Sequence, residues 1–111
     1  MWHDGEEAAW RSYRERGYRL LARNWRCPLG ELDMVVARGG EVVFCEVKAR
    51  RPSVLGGPFE AVTPAKQRKL RALAQAFCAA VHPEGDRYRF DVASVSVRGG
   101  VPEVYVFEDA F

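Results

Sequence analysis

Two acids and a lysine, Asp33, Glu46 and Lys48, lie in two neighbouring segments whose residues alternate between apolar and polar as in β-strands. Gly39-Gly40 between the segments suits a two-residue hairpin turn, in which both central residues adopt positive φ angles. The register set by this turn places Asp33 directly opposite Glu46, and Glu31 opposite Lys48. Side chains two residues apart share a face of a strand, so all four charges are expected on one face.

Two carboxylates directly across a strand pair have Cβ atoms about 5 Å apart and repel each other. Lys48, a shared proton or a bound divalent cation would each neutralise the repulsion, and oxygen ligands at this separation suit Mg²⁺ or Mn²⁺. The alternative is a salt-bridge ladder on the solvated face of a hairpin. Val35, Val42 and Phe44 are expected on the same face, which indicates that it is at least partly buried.

The first helix contributes a further carboxylate. Glu6 shares a stripe at helical spacing with Ala9, Trp10 and Tyr13, whereas Glu7 lies on the opposite, wet side. A carboxylate on a buried face needs a partner or a metal ion. The alternative is that Glu6 reaches water from the first turn, where acids also favour the helix dipole.

The elements that position these residues follow from periodicity and turn residues. We expect helices over Glu6 to Arg16 and Thr63 to Val81, and strands over Tyr18 to Trp25, Glu31 to Ala37, Val42 to Ala49, Tyr88 to Val97 and Val101 to Phe107. Thr63 is the expected N-cap of the second helix, with Pro64 at its first position. Its predicted buried stripe comprises Leu70, Leu73, Ala74, Phe77 and Val81. The order α-β-β-β-α-β-β predicts a mixed sheet flanked by helices, and Arg50 to Val62 is expected to be a long loop.

Composition limits the classes of protein to which the chain can belong. Its 111 residues suffice for one domain, over 1–111, and no stretch approaches the roughly 20 apolar residues of a membrane span. The N-terminus lacks the pattern of a secretory signal, so we expect a cytoplasmic protein. Cys27, Cys45 and Cys78 follow no metal-binding or disulfide spacing and are expected to be reduced, with Cys45 and Cys78 in the core.

The charge distribution favours a polyanionic partner. The net charge is only +2, yet seven basic residues and one acid lie between Lys48 and Arg71. One basic face suits nucleic acid. On charge alone, ordinary solvated side chains are an equally good explanation.

The segment from Gly30 to Asp33, followed by Val43 to Lys48, resembles the D…E-x-K core of the PD-(D/E)-x-K nucleases. The whole chain is similar to the YraN family of predicted endonucleases, which in turn resemble archaeal Holliday junction resolvases. The matching positions are Glu6, Ala9, Gly17-Tyr18, Asn24, Gly30 to Asp33, Glu46 to Lys48, Lys66 and Arg89 to Val92. Leu32 replaces the proline after which the superfamily is named.

The resemblance implies a restriction-endonuclease-like core that hydrolyses phosphodiester bonds. It implies Mg²⁺, or Mn²⁺, bound by Asp33 and Glu46, with Lys48 as the catalytic lysine and Glu6 as the additional acid on a helix. We expect the Val47 carbonyl to be a further ligand. The cation would activate the attacking water, and Lys48 would stabilise the developing negative charge.

Four cations, Arg50, Arg51, Lys66 and Lys69, are the expected contacts to nucleic-acid phosphates. The substrate expected from the resemblance is branched or otherwise structured DNA, and symmetric cleavage of two strands would need a homodimer. Two alternatives stay open. One is a catalytically silent nucleic-acid-binding module, and the other is a protein-interaction domain that uses aromatic residues such as those of Tyr105-Val106-Phe107.

Overall fold

The chain folds into two helices and a five-stranded sheet. The structure is a computed structural model that describes residues 4–50 and 62–111, with all their side chains except those of Asp4 and Arg50. The elements are α1 (Asp4–Glu15), β1 (Arg19–Cys27), β2 (Gly30–Arg38), β3 (Glu41–Arg50), α2 (Pro64–Val81), β4 (Arg87–Arg98) and β5 (Val101–Phe107). The predicted order α-β-β-β-α-β-β is confirmed, and the architecture is consistent with a restriction-endonuclease-like fold.

The strands lie side by side in chain order. All neighbours pair antiparallel except β3 and β4, which are parallel and are joined through α2. Gly39 and Gly40 have φ angles of 57° and 82°, as the predicted turn requires. The predicted hairpin register is confirmed from Arg38 opposite Glu41 to Met34 opposite Cys45.

A helix covers part of each face of the sheet, so the core has two layers. On the α2 side the buried residues include Val35, Val42, Phe44, Leu70, Leu73, Ala74, Phe77, Phe90 and Val92. On the α1 side they include Ala9, Tyr13, Tyr18, Met34, Val36, Val43, Cys45 and Ala93. The predicted stripe of α2 is therefore correct except at Val81, which is exposed because it lies in the last turn before the helix ends.

Both ends of α2 are capped. The Thr63 side chain accepts a hydrogen bond from the Lys66 N–H at 3.2 Å, which confirms the predicted N-cap, and Pro64 begins the helix. His82 ends it with a φ of 52°. Positions 51–61 of the predicted loop lie outside the described residues.

The predictions about cysteine and hydropathy have clear outcomes. All three cysteines are free; Cys45 is buried, as predicted, whereas Cys78 is only half-buried because it lines a surface groove beside α2. Neither helix in the part of the chain that the structure describes has the length and hydropathy of a membrane crossing.

A buried polar network joins α1 to the sheet. Asp91 is completely buried on β4, and its carboxylate accepts hydrogen bonds from the Tyr13 hydroxyl at 2.7 Å and the Arg89 Nε at 2.8 Å. The Asp109 N–H donates to the same carboxylate at 2.9 Å. Burial, with Cys45 and Asp91 alongside, raises the pKa of Tyr13, so its hydroxyl stays a donor. The network fixes the position of the helix that carries Glu6.

Candidate functional site

The pairing of β1 with β2 is irregular at two levels, since the register shifts by one residue between Leu20 and Ala22 and the alternation breaks again at Asn24. Between the pairs Arg23–Met34 and Trp25–Leu32, Asn24 lies level with Asp33, and Asn24 has a φ of 48° inside its strand. Leu32 packs in the α2 core whereas Met34 packs in the α1 core, although residues two apart share a face of a regular strand. The alternation predicted for β2 therefore does not hold at Asp33.

The Asp33 carboxylate ends the pairing between β2 and β3. Its Oδ2 accepts a hydrogen bond from the Val47 N–H at 2.8 Å, and the last paired residues of the two strands are Met34 and Cys45. The Val47 N–H, which would bond to a main-chain carbonyl of β2 if the strands continued to pair, donates to the Asp33 side chain instead. Even so, Glu46 is near enough to raise the pKa of Asp33, so the two acids lie near each other as the register predicted.

Glu31 does not join this group. The prediction placed it beside Lys48, but the ladder ends before that pair, and Glu31 instead forms an ion pair of 2.6 Å with Arg26 on β1. The Arg26 side chain is largely exposed, so this pair belongs to the surface of the sheet.

Glu6 approaches the two acids from α1. It is buried, as its place on the apolar stripe predicted, and its Oε1 accepts a hydrogen bond from the Asn24 amide at 3.3 Å. Its charge acts on Asp33. Glu7, by contrast, pairs with Arg11 on the outer side of the helix at 3.4 Å. Asn24 therefore holds the carboxylate that α1 contributes.

Burial and the two neighbouring acids raise the pKa of Asp33. Burial raises its pKa, the hydrogen bond from Val47 lowers it, and the carboxylates of Glu46 and Glu6 raise it again, to about 7 in all. Near neutral pH the Asp33 carboxyl is thus partly protonated, and a shared proton is one of the three means of neutralisation that the sequence left open. A divalent cation would replace that proton.

A lysine of α2 supplies a further neutralising charge. Lys66 Nζ lies 3.2 Å from Glu46 Oε2, and the Glu46 side chain is only 14% exposed. Sequence reasoning assigned Lys66 to phosphate binding and did not expect this pair. The available signal was its place four residues before Leu70, on the line of the buried stripe.

The other predicted cations lie around this pair or outside the described residues. Lys48 follows Glu46 by two positions on β3, is partly buried and has no ion-pair partner within residues 4–50 and 62–111. Lys69 lies on α2, with its Cε 3.0 Å from where a Cβ on Gly30 would be. Arg50 is described only as the last residue of β3, and Arg51 lies outside the described part.

The side chains around Asp33 are chemically suited to a hard metal ion. Across the residues that the structure describes, no three His, Cys, Asp or Glu side chains form a ready metal-binding group. The groups present are nevertheless hard oxygen donors, namely the Asp33, Glu46 and Glu6 carboxylates and the Val47 carbonyl, which are the ligands that Mg²⁺ and Mn²⁺ prefer. Their chemistry fits such a cation, on condition that Glu46 exchanges Lys66 for it.

Comparison with known proteins finds relatives along nearly the whole chain. A family model described as "Uncharacterised protein family UPF0102" matches residues 5–95. A UPF0102 protein of Caldicellulosiruptor saccharolyticus is 40% identical over 111 residues, covering 98% of this chain and 94% of the relative. A UPF0102 protein of Mycolicibacterium vanbaalenii is 46% identical over 101 residues, covering 90% and 84%. A third relative, of Symbiobacterium thermophilum, is 47% identical over 91 residues, covering 82% and 77%.

Proposed function

The chain belongs to the UPF0102 family, and we propose that it is a metal-dependent endonuclease that hydrolyses phosphodiester bonds of branched or otherwise structured DNA in the cytoplasm. One observation carries the proposal. Asp33 is partly buried between two other carboxylates, and its pKa is raised to about 7 even though the Val47 N–H hydrogen-bonds to it. An arrangement that disfavours its own charge is typical of a site that binds a cation.

Asp33 and Glu46 would hold Mg²⁺ or Mn²⁺, with the Val47 carbonyl and Glu6 as further ligands. Once bound, the cation would lower the pKa of a coordinated water and offset negative charge on the phosphate. Asn24 keeps Glu6 turned towards Asp33 through its amide. The protein thus contributes oxygen donors on three elements, β2, β3 and α1.

Lys48 is the residue that we assign to the developing negative charge. It lies on the same strand as Glu46, two residues on, and no acid of the described residues pairs with it. A fixed ammonium group beside a reacting phosphate stabilises charge that forms only in the transition state. Lys48 is also our candidate to help deprotonate the attacking water.

The phosphate contacts are assigned to Lys66 and Lys69 on α2, to Arg50 at the end of β3 and to Arg51, the next residue in the chain. The first turn of α2 contains no acid, so its free N–H groups and these lysines together favour an anion. We also propose a homodimer, because symmetric cleavage of two strands by a domain of this size requires two copies. Sedimentation with and without DNA measures that association.

The test is a cleavage screen of branched, flapped, single-stranded and linear duplex DNA with Mg²⁺ and with Mn²⁺. Activity should require the cation and fall at least a hundredfold in Asp33→Ala, Glu46→Ala and Lys48→Ala, a loss on the order of 3 kcal/mol. Glu7→Ala is the matched control, since Glu7 adjoins Glu6 on α1 but points away to Arg11. Wild-type rates in Glu46→Ala would assign the cleavage to another site or to a contaminant.

The ion pair between Lys66 and Glu46 favours a second candidate, a catalytically silent module that binds nucleic acid. If that pair is permanent, Glu46 is never released to a cation. The module would bind DNA in a salt-sensitive manner, with no cleavage under either metal. Lys66→Met distinguishes the two, because it should strengthen Mn²⁺ binding to a nuclease site and leave a silent module unchanged.

A further inference from the structure

A surface groove lies beside the far half of α2, away from Lys66. Its volume is about 390 Å³, and its lining includes Phe44, Arg71, Gln75, Cys78, Tyr88 and Phe90. Pockets that bind small organic groups begin at about this size and combine an apolar lining with a few polar groups. None of these residues belongs to the carboxylate cluster.

The groove presents aromatic rings in a nearly common orientation. The Phe44 ring is inclined by 25° to both Phe90 and Tyr88, with centroids 5.4 Å and 6.4 Å away. Tyr88 is 51% exposed, so its ring is open to an incoming group. Phe44 and Phe90 are buried, so a flat ligand would stack on the exposed Tyr88 ring, which the fixed Phe44 ring supports.

Two polar side chains of α2 border these rings. The Arg71 guanidinium lies 4.8 Å from the centroid of the Phe90 ring, and the exposed Gln75 lies one helical turn further on. An amide and a guanidinium can hydrogen-bond to the edge of a heterocycle whose face is stacked on an aromatic ring. Rings with such neighbours fit a base better than a lipid or an apolar peptide.

The groove lies along β3 from the carboxylate cluster. Tyr88 is the strand partner of Val42, four residues before Glu46 on β3, which corresponds to about 13 Å along the strand. Lys66 and Lys69 lie on the same helix as Arg71, nearer its N-terminus. A nucleic-acid strand following α2 would thus meet cations first and the aromatic groove next.

We propose that this groove binds an unpaired nucleobase, so that the enzyme selects DNA with unpaired nucleotides a short distance from the bond that it cleaves. The inference rests on the proposed nuclease function and specifies its substrate class. Base stacking on an aromatic side chain does not depend on sequence, so the selection is for unpaired structure and not for a base sequence.

The experiment measures binding of a labelled single-stranded oligonucleotide and of the matching duplex in EDTA, where no cleavage occurs. Tyr88→Ala should weaken single-strand binding about fivefold or more while duplex binding changes less than twofold. Tyr88→Phe should retain the affinity because it keeps the ring. Tyr105→Ala is the matched control, since Tyr105 is 58% exposed on β5, outside the groove.

Cys78 provides a second measurement that does not depend on how well Tyr88→Ala folds. In a Cys27→Ser background, the single-stranded oligonucleotide should slow alkylation of Cys78 in the groove, and the duplex should not. Equal affinities of Tyr88→Ala and wild type, equal losses in Tyr88→Ala and Tyr105→Ala, or no protection of Cys78 would overturn the proposal. So would self-association that depends on Tyr88. Metal-dependent cleavage of branched DNA that is as fast in Tyr88→Ala as in the wild type would leave the nuclease function standing and remove only this groove.

Discussion

Two opposing influences act on Asp33. The Val47 N–H donates to its carboxylate at 2.8 Å and favours the charged form, whereas burial and the neighbours Glu46 and Glu6 favour the neutral form. The net effect raises its pKa from the ordinary 3.8 to about 7. Because the hydrogen bond holds the carboxylate in place, Asp33 cannot turn away from the other acids. The charged form of Asp33 is thus disfavoured in the folded protein.

The stability of the metal-free protein should therefore depend on pH through Asp33. A carboxyl whose pKa is higher in the folded than in the unfolded state binds more protons when folded, so it stabilises the fold at low pH. This contribution is complete below about pH 4 and is lost as the pH rises through about 7. Denaturant unfolding gives the free energy of unfolding of the wild type and of Asp33→Asn. The wild type should lose stability relative to Asp33→Asn as the pH rises over that window, so that Asp33→Asn is the more stable at pH 8.

Divalent cations provide the counterpart of this measurement. Mn²⁺ or Mg²⁺ should raise the melting temperature of the wild type at pH 8, by an amount that corresponds to about 2.7 kcal/mol at a hundredfold excess over Kd. The rise should be absent in Asp33→Asn. If millimolar Mn²⁺ has no effect and Asp33→Asn destabilises the protein, the group is a salt-bridge cluster with Lys66 and binds no metal.

Among the elements, β1 is the one whose geometry is least typical. Asn24 has a positive φ in the middle of the strand, and β1 and β2 reverse their alternation at that level. Asparagine adopts this conformation more readily than other residues with a Cβ. The reversal brings the Asn24 amide to Glu6 while Trp25 still packs in the α2 core.

We expect Asn24→Ala to destabilise the protein by about 1 kcal/mol more than Asn24→Gly, because alanine is strained at positive φ and glycine is not. Both variants lose the amide contact with Glu6, so the pair isolates the backbone contribution. Urea denaturation measures it. Equal stabilities would mean that the strand relaxes to a regular geometry without asparagine.

Much of the sheet could be predicted because its determinants are local. The Gly39-Gly40 turn sets the register of β2 against β3, and alternation then brings Asp33 near Glu46. The break at Asn24 could not be predicted from alternation, which assumes that every residue reverses direction. An asparagine inside an otherwise ordinary strand was the available signal.

The contact between Lys66 and Glu46 could not be predicted from the sequence for another reason. Helical spacing predicted the buried side of α2, but it did not predict the position of the helix along the direction of β3. That position depends on packing around Phe44 and Phe77. It decides which lysine reaches Glu46, so side-chain partners between elements were the least predictable part of the candidate site.

At the scale of the whole molecule, Asp91 is the centre of the network that joins α1, β4 and the C-terminal segment. Its carboxylate joins Tyr13 of α1, Arg89 of β4 and the main chain at Asp109, while Arg89 also pairs with Glu41 of β3 at 2.9 Å. All of these groups have partners, so the network holds α1 on the sheet without an unpaired buried charge.

Asp91→Ala should destabilise the protein by about 3 kcal/mol, because it leaves the nearly buried Arg89 short of a partner and Tyr13 without its acceptor. Glu108→Ala is the control. It also removes a contact to Arg89, but Glu108 is exposed, and the loss should stay below about 1 kcal/mol. Thermal unfolding of the two variants compares them, and similar losses would contradict a central role for Asp91.

The parallel pairing of β3 with β4 has a consequence for the order of folding. It joins Glu41 to Arg87 across the whole of α2, so it requires a large loop closure, whereas β1, β2 and β3 are connected by tight turns. The three antiparallel strands are expected to assemble early, and they bring Asp33 and Glu46 together before Lys66 arrives. Mn²⁺ should then accelerate refolding in stopped-flow experiments, and a cation that only slowed unfolding would show that the acids meet late.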